Sequence, residues 1–235
     1  MKKKFNTKVI HSGHGPDKET GAVMPPIHLS STFKQMEPGN FEYEYARTKN
    51  PSRDVLEKLL AQIESGDKAC AFASGMSAIN TVCDLFGTNY HIVCSDDVYG
   101  GTRRLFDKVK SNIDVTYIDF DKNINWNDEI KENTKFIWIE TPSNPLMKII
   151  DIKNTVNIAS EFKLPVICDN TFASPYNQRP LELGADMVVS SSTKYLGGHS
   201  DIVGGSIVIK ENKEYAEQIS FIQNAVGAVP SPFDC

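Results

Sequence analysis

The sequence predicts an α/β fold in which a mainly parallel sheet carries helices on both faces, preceded by an extended N-terminal arm. Three features lead there. Six short runs are apolar on both faces, amphipathic segments at helical spacing separate them, and the first fifty residues are rich in Gly, Pro, Ser and Thr with no sustained period. Strands covered on both sides read as continuous apolar runs, and helices between them supply the right-handed crossovers that parallel pairing requires. The expected division is an arm over residues 1–51 and one α/β domain over residues 52–235.

Taken in order, Met24-Pro25-Pro26 excludes regular helix from the arm, because proline lacks the N–H donor and restricts the residue before it. Ser52 suits a helix cap, and Val55, Leu56, Leu59, Leu60 and Ile63 then share one helical face up to the stop at Ser65-Gly66. Strands are expected at Ala69–Ala73, Ile92–Ser95, Val115–Phe120, Phe136–Glu140, Pro165–Asp169 and Met187–Ser190. Helices are expected near Ser77–Phe86, Thr102–Lys110, Asp128–Glu132 and Ile152–Phe162.

With 235 residues, 40% of them hydrophobic and 23% charged, the chain can bury one large core. A net charge of −5 gives no electrostatic footprint for nucleic acid, and the basic start Met1-Lys2-Lys3-Lys4 is too short to alter that. A small-molecule partner is expected instead. Phe5-Asn6-Thr7-Lys8 follows where a signal peptide would be apolar, and no run is long enough to span a bilayer, so the expectation is a cytoplasmic protein without membrane contact. Cys70, Cys83, Cys94, Cys168 and Cys235 show no C-x-x-C spacing, which argues against a disulfide framework or a zinc site.

The chemistry-bearing residues follow the carboxyl ends of the expected strands, where ligands of open α/β sheets sit. Lys194 lies just past the last strand among Ser191, Ser192, Thr193, Gly197 and Gly198. In a partly dry pocket its ammonium is disfavoured, which makes the neutral nucleophilic amine of a Schiff base accessible, and the neighbouring hydroxyls suit a phosphate. Lysine plus phosphate cradle suggests pyridoxal 5'-phosphate (PLP). Gly75 and Met76 open a helix whose free N–H groups can hold a phosphate, although the same turn serves any tight strand-to-helix connection. Asp169 ends an apolar run, where a carboxylate needs a cation such as a protonated pyridinium, or else forms a strand-end Asx-turn. Tyr99 can lay its ring on a planar cofactor or be a half-buried loop tyrosine. Arg47, in the arm, is a forked donor that can reach a phosphate in another subunit or simply be solvated. His199 reads as structural, and no G-x-S-x-G elbow supports hydrolase chemistry.

Together, Tyr45-x-Arg47-x-x-Asn50-Pro51, Ala73-Ser74-Gly75-Met76, Asp97-Val98-Tyr99-Gly100-Gly101-Thr102, Trp138 through Pro145, Asp169-Asn170-Thr171 and Ser191-x-Thr193-Lys194-Tyr195 resemble the trans-sulfuration family of PLP enzymes. The resemblance implies the large domain of the PLP-dependent transferase fold (fold type I). It implies that Lys194 is the Schiff-base lysine and proton shuttle, that Asp169 holds the pyridinium and that Tyr99 stacks on the ring. Gly75, Met76, Ser191 and Thr193 would bind the phosphate, joined by Tyr45 and Arg47 of a neighbouring subunit, with Asn144 near the ring hydroxyl and Arg104 at the substrate. It further implies tetramers built from dimers and a sulfur amino acid as substrate. Phe41 through Tyr45, Thr32 through Gln35 and Gly227 through Pro232 look most like the cystathionine γ-lyase branch, and Gly101 stands where methionine γ-lyases often carry cysteine. The expected reaction is γ-elimination of cystathionine to cysteine, 2-oxobutanoate and ammonia. The alternatives are γ-synthase, β-lyase or methionine γ-lyase chemistry, or a non-catalytic short chain that binds PLP or pairs with full-length subunits. Family members also carry a smaller C-terminal domain, with a carboxylate-gripping arginine, after a stretch like Ser231 through Cys235.

Overall fold

The computed structural model describes residues 4–210 and 212–235, so most of the basic start, Met1 to Lys3, lies outside the described residues. Among the described residues, the arm contains helix α1 (Phe5–His11) and otherwise only isolated bridges, Thr32 with Tyr45 and Glu37 with Asn40. The sequence pattern misses α1 because seven residues with one apolar i, i+4 pair, Phe5 and Val9, are too short to establish a helical period. Helix α2 (Pro51–Ile63) is capped by Asn50, whose side chain accepts from Ser52 N–H at 2.9 Å and Arg53 N–H at 3.3 Å. This corrects the expected Ser52 cap: Asn50 followed by Pro51 is the stronger start. The Ser52 hydroxyl instead accepts from His28 N–H at 2.9 Å and ties the arm to the helix.

The chain continues through β1 (Lys68–Phe72), α3 (Gly75–Leu85), β2 (Tyr90–Ser95) and α4 (Gly100–Arg104), which runs on as a π-helical turn over Leu105–Val109. There follow β3 (Ile113–Ile118), α5 (Trp126–Glu129), β4 (Thr134–Glu140), α6 (Ile152–Glu161), β5 (Val166–Asp169), α7 (Ser174–Asn177), β6 (Met187–Ser190), β7 (Gly205–Ile209) and α8 (Lys213–Val226). The seven strands form one sheet in the order β1-β7-β6-β5-β4-β2-β3. β3, β2, β4, β5 and β6 pair in parallel, and β7 is antiparallel to both β6 and β1. Because β7 is antiparallel to both its neighbours, β1 and β6 point the same way, and six strands deliver their carboxyl ends to one edge of the sheet.

Both faces are covered. On one, α3 and α8 enclose Phe72, Phe136, Trp138 and Ile207, with the Phe106 ring edge-on to Trp138 at 5.7 Å. On the other, α6 packs over Ile137, Ile139 and Cys168, while α2 covers Ala69, Ala71 and Val208. Full burial of side chains this size contributes about 1.5–3 kcal/mol each. Cys70, Cys83, Cys94 and Cys168 are free, buried thiols within this core. No helix among the described residues is long and apolar enough to cross a membrane.

Candidate functional site

The carboxyl edge of the sheet surrounds a cavity of about 410 Å³. Gly75, Met76, Tyr99, Asn144, Ser191, Thr193 and Lys194 all line it, although they come from four separate strand exits. Asp169 lies behind the wall, 5% exposed, at the end of β5 and in register with Glu140 on β4 and Val189 on β6.

Close backbone approach builds the first corner. Ser74 caps α3 through its hydroxyl, which accepts from Ser77 N–H at 3.0 Å, leaving the N–H groups of Gly75 and Met76 without intrahelical acceptors. A Cβ on Gly75 would lie 2.8 Å from Ser191 Cβ, so only glycine lets the start of α3 meet the turn after β6. Gly205 allows β7 to begin in the same place, because a Cβ there would lie 2.3 Å from the Ser74 carbonyl oxygen. The turn after β6 is braced by Thr193, whose hydroxyl accepts from Gly204 N–H at 3.0 Å.

Thr171 joins the corner to the buried acid. Its N–H and hydroxyl donate to Asp169 Oδ1 at 3.0 and 2.6 Å, and the same hydroxyl oxygen accepts from Ser191 N–H at 2.9 Å. Asp169 is therefore an Asx-turn, as one reading of its sequence expected, while the hydrogen bonds it accepts fall on Oδ1 and leave Oδ2 for another donor. Burial pushes the Asp169 and Glu140 carboxyls up, and Asp169 raises Glu140 further. A cation in the cavity would favour both ionised forms.

Tyr99, 45% exposed, precedes α4, and its N–H donates to Glu140 Oε2 at 2.8 Å. Asn144 N–H donates to the other oxygen, Oε1, at 2.8 Å. The pattern of the sequence assigned no role to Glu140 or Thr171; the available signal was a carboxyl directly after the apolar run Phe136–Ile139.

Tyr45, Arg47 and Arg104, three of the expected site residues, do not line this cavity wall. Lys194 is exposed, so the partly dry surroundings expected for its ammonium are not supplied by this chain alone. Tyr45 and Arg47 lie away from the cavity, with Arg47 donating to the Asn224 carbonyl oxygen and, at 3.2 Å, to Asn224 Oδ1. Arg104 is exposed on α4 and lies off the wall, whereas its neighbour Arg103 stacks over the Tyr117 ring at 3.9 Å. His199 is exposed and its Nδ1 pairs with the Gly197 carbonyl at 3.0 Å, in keeping with the structural reading.

The residues present fit a phosphorylated, cationic aromatic ring. A capped helix start with spare N–H groups meets hydroxyl side chains, a buried acid keeps one oxygen unpartnered, an amine is at the wall, and the volume suits a small ligand.

Comparison with known proteins agrees with this geometry. Residues 6–235 match the profile of the family described as Cys/Met metabolism PLP-dependent enzyme. A cystathionine beta-lyase of Coxiella burnetii is 46% identical over 99% of this chain and 61% of its own length. A cystathionine gamma-lyase of Bacillus subtilis is 48% identical over 100% of this chain and 62% of its own. The crystal structure of cystathionine gamma-lyase from Lactobacillus plantarum complexed with L-serine superposes with a TM-score of 0.95 at 45% identity, covering 99% of this chain and 61% of that one. The chain thus spans about three fifths of the length of these relatives. With the sheet, the cavity and the profile in agreement, this chain belongs to the Cys/Met metabolism PLP-dependent enzymes, and its cofactor is pyridoxal 5'-phosphate.

Proposed function

We propose that the chain carries the cofactor-binding part of a carbon–sulfur lyase of trans-sulfuration, acting on cystathionine by γ-elimination: cystathionine and water give cysteine, 2-oxobutanoate and ammonia. Residues 52–235 would form the cofactor-binding unit and residues 1–51 the arm. The observation that carries this reading is the convergence of Lys194, the start of α3 and the Asp169–Thr171–Ser191 linkage on one cavity.

When bound, the cofactor supplies an electron sink for the substrate α-carbon. Lys194 Nζ would be the amine that holds the cofactor covalently and the group that moves protons at the substrate carbons. Gly75 and Met76 N–H, with the Ser191 and Thr193 hydroxyls, would hold the phosphate. Asp169 Oδ2 would accept a hydrogen bond from the protonated ring nitrogen and keep it charged, Asn144 would serve the ring hydroxyl and Tyr99 the ring face. Arg104 has a substrate role in this reading. Tyr45 and Arg47 are remote from their own cavity, which supports a role at the phosphate of a second copy and hence a dimer, with a tetramer of two dimers as the whole assembly. A cytoplasmic location completes the proposal.

Beta-lyase chemistry is the second reading, because relatives bearing either lyase name share nearly the same identity with this chain. Steady-state assays that find β-elimination or γ-replacement faster than γ-elimination would replace the choice made here. The cofactor reading itself is tested by intact mass after PLP addition and borohydride reduction. One PLP fixed per chain, lost in Lys194→Ala, is the expected result. A folded chain that takes no adduct would favour the non-catalytic alternative.

A further inference from the structure

Glu140 ends β4 at 5% exposure, on the cavity wall, and divides its two oxygens between two loops. Oε2 accepts Tyr99 N–H from the loop after β2, and Oε1 accepts Asn144 N–H from the loop after β4, both at 2.8 Å. Its own N–H donates to Ser95 Oγ at 3.3 Å, which fixes the strand end from which the side chain projects. This is a costly place for a carboxylate, since it is buried and its register partner is Asp169.

Joining the two loops does not require it. Asp97 already accepts Leu146 N–H at 2.9 Å and the Ser143 hydroxyl, and Lys148 ties Asp96 at 2.9 Å to Asp119 at 2.8 Å. Glu140 adds something narrower. It fixes the backbone at the two residues of these loops, Tyr99 and Asn144, that also reach the cavity. A single acceptor cannot hold both; a carboxylate, with two oxygens and several lone pairs, can.

We infer that Glu140 is a positioning residue that sets the Tyr99 ring and the Asn144 amide against the cofactor through their backbone N–H groups. The inference rests on the reading of those two residues as cofactor contacts. A glutamine of the same shape keeps one acceptor oxygen and turns an N–H₂ donor towards the other N–H, breaking one of the two bonds while removing a buried charge. Glu140→Asp keeps the charge but is one methylene too short to reach both loops.

The test combines hydrogen exchange, melting and cofactor binding on the parent and both variants. For Glu140→Gln, faster exchange is expected at Tyr99 or Asn144 N–H with Leu146 N–H unchanged, and a melting temperature no lower than the parent's. Its PLP affinity is expected to fall about tenfold, the scale of one lost hydrogen bond to a charged group, with weaker visible dichroism per bound PLP. Glu140→Asp is expected to share the exchange and dichroism changes. Unchanged exchange at both N–H groups would overturn the inference. So would a Glu140→Asp protein that matches the parent while Glu140→Gln does not, because charge and not placement would then be at work. Reduced melting with unaltered dichroism would mean a purely structural role and would overturn it too. A parent that takes no borohydride-fixed PLP at Lys194 would end the cofactor reading, while the exchange data would still decide the Glu140 geometry.

Discussion

Gly101 shows how one missing side chain shapes the cavity. A Cβ at this position would lie 2.4 Å from Tyr99 Cε1 and 2.9 Å from Met76 Sδ, so the ring of Tyr99 occupies the space any other residue would need. The backbone there is ordinary helix, and alanine would favour α4 by about 1 kcal/mol over glycine. Gly101→Ala is therefore expected to leave the melting temperature level or slightly raised while swinging the Tyr99 ring and lowering PLP affinity severalfold. Equilibrium binding and a structure of the variant check this; a ring that stays in place would show that Met76 and the backbone can absorb the methyl group. The cysteine that the resemblance associates with methionine γ-lyases at this position would meet the same ring, which makes residue 101 a local control on where the Tyr99 ring lies.

Among the elements, β7 is the piece that assembles the site. It lies antiparallel between β1 and β6, and its first residue touches the turn that opens α3. Gly205→Ala would drive a methyl group into the Ser74 carbonyl oxygen and to within 2.7 Å of Gly75 Cα, both of them backbone atoms with little freedom to retreat. A cost of about 1–3 kcal/mol is expected, seen as a lower denaturation midpoint, together with a displaced start of α3, which on the proposed phosphate role of Gly75 is seen as weaker PLP binding. The sequence carries less of this element than of its neighbours. The six strands it predicts have the long apolar runs or turn residues that make them readable, and each lies within two residues of its observed start and end. Gly205–Ile209 is a short run after an irregular loop, and α8 buries only Ile219 and Gln223, so neither offers a clear period. The placement of Asp169 and Lys194 at strand ends beside the cavity was legible, because each follows an apolar run. The roles of Thr171 and Glu140 were not, because their work is done through backbone N–H groups that a one-dimensional pattern does not record.

For the whole molecule, buried acids at two separate places make stability respond to pH, and the cofactor would act on only one of them. Glu64 closes α2 at 1% exposure, where Asn170 Nδ2 donates to both its oxygens at 3.4 Å and Arg179 offers partial charge compensation. Burial nevertheless pushes its carboxyl from 4.5 up to about 7. Burial raises Glu140 and Asp169 as well. A carboxyl with a raised folded pKa holds its proton more tightly in the native state than in the unfolded one. Its contribution is complete below the unfolded value and is lost as pH rises to the folded one, so Glu64 costs the protein stability between about pH 4.5 and about pH 7. The cofactor-free chain is accordingly expected to melt highest under mildly acidic conditions and to lose several degrees towards neutral pH. Glu64→Gln should flatten that part of the profile, since a neutral amide retains the shape without the ionisation. PLP should act on a different part. Its cation would lie by Asp169, not by Glu64, which is absent from the cavity wall, and would offset the cost of ionising the Asp169–Glu140 pair only. Melting curves across pH for parent and Glu64→Gln, each with and without PLP, separate the two groups. If PLP flattened the profile of the parent as fully as Glu64→Gln does, the acid beneath Asn170 would have to be coupled to the cofactor pocket through the Asp169–Asn170 turn, and the two would titrate as one unit.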